Sequence, residues 1–177
     1  MRVIAGVLGG RTFDSPGTNR THPMSDKARG ALFNILGDIH NLTVLDAFAG
    51  TGALAFEALS RGAKDAVLLD NDKTAQLAIA RNIAMLQLES QAHLVQAAVA
   101  VWLRTQRDMQ FDLVICDPPY DNLQESLIER LLDSVKDGGL LVLSWPGKIQ
   151  LPRLLQPLLV EQRSYGDIQL AFYRKNR

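Results

Sequence analysis

The chain has 177 residues, 47% of them hydrophobic and 21% charged, enough for one sizeable core and unlike a disordered segment. No apolar run reaches the roughly 18–20 residues of a membrane span, and the opening MRVIAGVLGGRTF is too short and broken for a signal peptide. Net charge is zero but uneven: Lys/Arg outnumber Asp/Glu five to two over residues 1–30 and six to two over 141–177, whereas 31–140 holds eight against fifteen.

In chain order, residues 2–7 and 11–13 flank Gly9-Gly10 and suggest a hairpin, and residues 15–24, with Pro16, Gly17, Asn19 and Pro23, read as loop. Ser25 can cap a helix whose Ala28, Ala31, Leu32, Ile35 and Leu36 share a face. Strands are then predicted at 43–47, 66–70, 91–95, 111–116 and 138–145. Helices at 53–62, 72–88, 99–107 and 122–135 alternate with them. Such alternation implies right-handed βαβ units and a parallel sheet covered on both faces. Residues 158–164 and 167–173, joined through Gly166, predict an antiparallel pair at one end. The expected fold is therefore α/β and Rossmann-like, in one domain over 1–177. Residues 1–24 would form a basic N-terminal extension and 25–177 the core.

In such a sheet ligands bind beyond the carboxyl ends of the strands. After the first strand comes Asp46-Ala47-Phe48-Ala49-Gly50-Thr51-Gly52, a turn in which two glycines allow close backbone approach to a ligand. Ala55 stands where a dinucleotide fingerprint allows glycine or alanine, so the spacing is open to NAD and to a nucleoside ligand alike. The second strand ends at Asp70, twenty residues after Gly50, where a carboxylate can accept both hydroxyls of a ribose. The fourth ends in Asp117-Pro118-Pro119-Tyr120. There the Asp117 carboxylate and the Pro118 carbonyl can hold the two hydrogens of a planar exocyclic amine. Its delocalised lone pair is thereby steered toward an electrophile, while Tyr120 offers a ring for stacking.

Glycine loop, ribose acid and DPPY, in this order, resemble class I S-adenosylmethionine-dependent methyltransferases that act on amines. With MRVIAGVLGGRTF, DKARGALFNIL, DAFAGTGALAFEALSRGA, FDLVICDPPY and YGDIQLAFY, the chain is similar to the RsmD family from Met1 to about Tyr173. The resemblance implies a mostly parallel seven-stranded sheet with helices on both faces and an antiparallel C-terminal strand. It implies methylation of the 2-amino group of a guanine in bacterial 16S rRNA, nominally position 966, with S-adenosyl-L-methionine as cofactor. By the same resemblance Asp46, Phe48, Ala49, Gly50, Thr51, Gly52, Asp70, Asn71, Ala98 and Asp117 would line the cofactor. Asp117, Pro118 and Tyr120 would receive a flipped guanine, and Arg11, Arg20, Lys27 and Arg29 would meet RNA phosphates. The expected setting is a cytoplasmic monomer acting on 16S rRNA in a 30S particle or assembly intermediate, with no membrane and no metal. Where the family has Arg-Pro-Thr before the first helix, this chain has His22-Pro23-Met24. Gln96-Ala97-Ala98 replaces an acid after the third strand, and Ser144-Trp145 stands where a glutamate follows the fifth. Methylation of DNA adenine or a protein glutamine, or a non-catalytic role in ribosome assembly, are the alternatives.

The remaining residues carry blander readings. His22, His40 and His93 lack metal-ligand spacing, and the single cysteine, Cys116, reads as a buried thiol of a reducing compartment. His93 reads as a structural histidine and Trp102 as core. Trp145 is either packing or an RNA-stacking ring.

Overall fold

The computed structural model describes residues 1–17, 24–155 and 157–176. The elements are α1 (Asp26–Leu36), β1 (Thr43–Asp46), α2 (Ala53–Ser60), β2 (Asp65–Asp70), α3 (Lys73–Leu86), β3 (Ala92–Gln96), α4 (Val99–Thr105), β4 (Phe111–Cys116), α5 (Glu125–Leu131), β5 (Val135–Pro146), β6 (Leu158–Tyr165) and β7 (Ile168–Arg174). One sheet runs in the order β3-β2-β1-β4-β5-β7-β6. The first five strands pair in parallel, and β7 is antiparallel to both β5 and β6.

The alternation of side chains along each strand divides the core in two. Val44, Leu68, Leu113 and Val142 face one layer with Leu32, Phe56 and Ile79 from α1, α2 and α3. Leu45, Val67, Val114 and Leu143 face the other with Trp102, Ile128 and Leu131 from α4 and α5. Helices thus cover both faces, as a parallel sheet requires. Ser25 caps α1 as expected, its hydroxyl accepting the Ala28 N–H at 3.2 Å. Residues 132–134 form a 3-10 turn rather than a last turn of helix, and β5 starts three residues before its predicted boundary. A register shift between Phe111 and Leu113 absorbs that extension.

The N-terminal hairpin is reduced to one antiparallel bridge, Arg2 to Thr12. Val3 and Phe13 N–H bond across it to the Arg11 and Met1 carbonyls, each at 2.9 Å, but the amides between have other partners. Ile4 and Ala5 donate to the Glu57 carboxylate at 2.7 and 3.1 Å, and Leu8 donates to the Ser60 hydroxyl at 2.9 Å. Two polar side chains of α2, both buried, therefore staple the N-terminus to the core.

Candidate functional site

β1, β2, β4 and β5 end at the same edge, and the predicted ligand residues gather there. The glycine loop begins as sheet: Ala47 N–H donates to the Ile115 carbonyl of β4, and Ala49 N–H to the Leu69 carbonyl of β2, each at 2.9 Å. The chain then turns through Gly50 (φ +54°) and Gly52 (φ +79°) into α2. A Cβ on Gly52 would stand 2.5 Å from the Phe56 ring, so the position demands glycine on both conformation and space.

Gly52 gives α2 no side-chain cap. Asp46 serves instead, from beneath: its Oδ2 accepts the Ala55 N–H at 3.2 Å, and Thr51 Oγ1 accepts the Ala53 N–H at 3.3 Å. Asp46 is fully buried and its Oδ1 has no hydrogen-bond partner. Burial, and after it the Asp117 charge, push its carboxyl up to about 8. Asp70 likewise supports the loop. Its Oδ2 accepts Gly50 N–H at 2.7 Å and its Oδ1 accepts Asp72 N–H at 2.8 Å, while burial raises its pKa. Asn71 is exposed, Phe48 and Ala98 are half-buried, and Ala98 opens α4.

Beyond β4, Asp117 is half-buried and Pro118 buried, while Pro119 and Tyr120 reach solvent. Cys116 pairs with Leu143 in β5, which sets Asp117 beside Ser144. The Ser144 hydroxyl lies 2.8 Å from the Tyr120 Oη. Burial pushes Asp117 up to about 6, and a hydrogen bond to Ser144 holds it from rising further. Burial pushes the Tyr120 phenol up to about 12, which keeps it protonated. Ser144 thus joins acid and ring, a link that a lone serine in a strand does not announce in sequence. Cys116 is fully buried and burial raises its thiol pKa, in line with packing.

The expected phosphate contacts divide. Lys27 is exposed, and Arg20 lies outside the described residues, as do His22 and Pro23. Arg11 is exposed and caps the C-terminal end of α3, donating to the Leu86 and Met85 carbonyls at 3.2 and 2.7 Å. Arg29 is fully buried, donating to the Arg2 carbonyl and Asp26; a side chain with no exposed surface has no face to offer a phosphate, which argues against that role. Met24 is buried in the core. Trp145 is also core, 1% exposed with its indole N–H on the Gln150 carbonyl at 3.0 Å, which removes the stacking alternative. Trp102 is core as expected, whereas His93 is exposed, 3.8 Å from Asp65. Among the described residues no three His, Cys, Asp or Glu side chains gather as a metal site. None of the described helices is long and apolar enough to cross a membrane.

The family described as Conserved hypothetical protein 95 matches residues 1–174. A putative rRNA methyltransferase of Bacillus subtilis, YlbH, is 30% identical over 182 residues, covering 99% of both chains. The Ribosomal RNA small subunit methyltransferase D of Haemophilus influenzae is 36% identical over 138 residues, which span 76% of this chain and 72% of that one. Among solved structures, the putative methyltransferase yhhF from Escherichia coli superposes with a TM-score of 0.88 at 29% identity, covering 99% and 98% of the two chains.

Proposed function

The chain belongs to the Conserved hypothetical protein 95 family, the RsmD family of methyltransferases, and from that premise we propose that it transfers a methyl group from S-adenosylmethionine to the 2-amino group of a guanine in 16S rRNA. The observation that carries this reading is the shared edge of β1 and β4. Those strands are parallel neighbours, so the glycine loop and the Asp117-Pro118 turn open side by side.

The residues present fit the cofactor. Each Asp70 oxygen accepts a backbone N–H and keeps a second acceptor direction for a ribose hydroxyl. The orphaned Asp46 Oδ1 leaves an unpartnered polar atom buried under the loop. When bound, the cofactor supplies a methyl group on positively charged sulfur, already activated toward a nucleophile. The Asp117 carboxylate and the Pro118 carbonyl accept the two N–H bonds of the guanine amine and turn its lone pair out of conjugation. With its carboxyl near 6, Asp117 is ionised at neutral pH and able to take the proton that the methylated amine releases. Tyr120, tied through Oη, offers the base a ring of fixed orientation. A small-subunit particle is the proposed setting, since the target base must be unstacked and presented to this edge.

The test is Asp117→Ala with labelled cofactor on free 16S rRNA and on 30S particles, followed by nucleoside mapping of the product. Transfer should fall by at least ~10²-fold in protein that still binds the cofactor. Retained transfer, or a product other than 2-methylamino-guanine, would overturn the reading.

A further inference from the structure

Of the expected phosphate contacts, Arg29 is buried and Arg11, though exposed, is tied to the last carbonyls of α3, so the chain on the other side of Asp117 bears on the positive charge beside the catalytic edge as well. β5 runs parallel to β4, so the chain beyond Pro146 leaves the sheet at the same end as Asp117. Residues 147–155 form a loop there, and it is bolted down. Gln169, a buried side chain, donates its amide to the Pro146 and Ile149 carbonyls at 2.9 and 2.7 Å. The Trp145 indole holds the Gln150 carbonyl, and Gly147 N–H donates to the Asp167 carbonyl at 2.7 Å. At the far end Leu155 N–H rests on the Glu129 carboxylate at 3.3 Å. Between these bolts Lys148 and Arg153 are exposed, and neither makes an ion pair among the described residues. Of the neighbouring acids, Glu161 is paired with Arg163, while Asp167 and Glu129, the latter accepting the Leu155 N–H, make no ion pair among the described residues.

We propose that residues 147–155 are the docking surface for the RNA strand that carries the target base, with Lys148 and Arg153 taking its phosphates. Lys148 follows Ser144, the neighbour of Asp117, by four residues, a chain span of at most ~14 Å. A strand whose base enters at Asp117 therefore passes within reach. A loop already ordered by buried donors loses little conformational freedom on binding, so its two charges act at nearly full effect. The inference rests on RNA being the substrate, and it adds where the strand lies.

The experiment measures affinity for 16S rRNA against salt concentration for wild type and for Lys148→Gln/Arg153→Gln. Each lost phosphate contact should lower the slope of log affinity against log salt by ~0.7, and the pair should weaken binding on the order of 20-fold near 0.1 M salt. Arg107→Gln/Arg130→Gln serves as a charge-matched control, because those residues line a groove at the opposite end of β4 and β5. The control should leave the slope unchanged, and calorimetric cofactor affinity should be that of wild type in both variants. An unchanged slope in the Lys148/Arg153 variant, or an equal drop in the control, overturns the docking surface alone. Wild-type protein without salt-dependent RNA binding overturns the substrate reading and the docking surface together.

Discussion

Ser144→Ala gives the sharpest test of the site, because one hydroxyl touches both Asp117 and Tyr120. A hydrogen bond to an ionised group contributes ~1.5–3 kcal/mol, and Asp117 is half-buried, so the lower end applies. At ~1.4 kcal/mol per pH unit, losing that bond moves the Asp117 carboxyl up by about one unit, from about 6 to ~7. The charges facing it do not offset the change. Asp46 on β1, with its carboxyl at about 8, is still largely protonated there, and Cys116 and Tyr120 are neutral as well. If the carboxylate is the working form, its population at pH 7 drops from roughly nine-tenths to about one-half, and above ~pH 8.5 the two proteins converge. Single-turnover transfer measured across pH, with carbon NMR of the Asp117 carboxyl in the free protein, reads both sides of this argument. Ser144→Thr, which restores the hydroxyl, should restore the acid limb. An acid limb that stays in place in Ser144→Ala, in protein with unchanged melting temperature, would refute the coupling. The carboxyl titration decides that point even if RNA proves not to be the substrate.

Two further outcomes follow from the glycine loop. Gly52→Ala forces a left-handed φ on a Cβ that meets the Phe56 ring, so it should cost at least ~1–2 kcal/mol in chemical denaturation and abolish cofactor binding by calorimetry. Asp46 makes the fold pH-sensitive: its native carboxyl keeps a proton up to about 8, whereas the unfolded one releases it near ~4. Its contribution is therefore complete below ~pH 4 and lost as pH rises toward 8, at up to ~1.4 kcal/mol per unit. Asp46→Asn should flatten that decline in denaturation measured between pH 4 and 8; an equal slope in both proteins would show that Asp46 ionises freely.

The strand–helix alternation was legible because strands buried on both faces read as short apolar runs, and the turns after them held the ligand-type residues. Asp46, Gly50, Gly52, Asp70 and Asp117 all lie where that pattern put them, at one edge of the sheet. What stayed hidden depended on partners distant in sequence. Glu57 sits in the apolar run ALAFEALS, and nothing local reveals that it receives two amides from the N-terminus 52 and 53 residues away. The same contact takes the Ile4 and Ala5 amides out of the hairpin and so ends its pairing beyond Val3. Resemblance assigns Arg29 to RNA phosphates, and nothing in its local sequence says that it lies buried against Arg2 and Asp26. β5 was cut short at Gly138-Gly139 because glycine marks strand ends in sequence, whereas here it allows the chain to shift register and continue.

The position of Asp46 accounts for the electrostatic character of the whole edge. Three carboxylates, Asp46, Asp70 and Asp117, converge there, and each has its pKa raised first by burial. Asp46 is raised further by Asp117 and Asp70, so ionising any one of them makes the others harder to ionise. Backbone N–H groups of the glycine loop and of the following turn relieve Asp70, and the Ser144 hydroxyl relieves Asp117. Asp46 has only the Ala55 amide, which is why it shifts furthest and why one of its oxygens remains without a partner. Such an edge is short of positive charge, and a cationic ligand entering it would lower all three pKa values together. Cofactor binding and Asp117 ionisation would then favour one another, so that the proposed proton acceptor would be in its ionised form when the cofactor is bound.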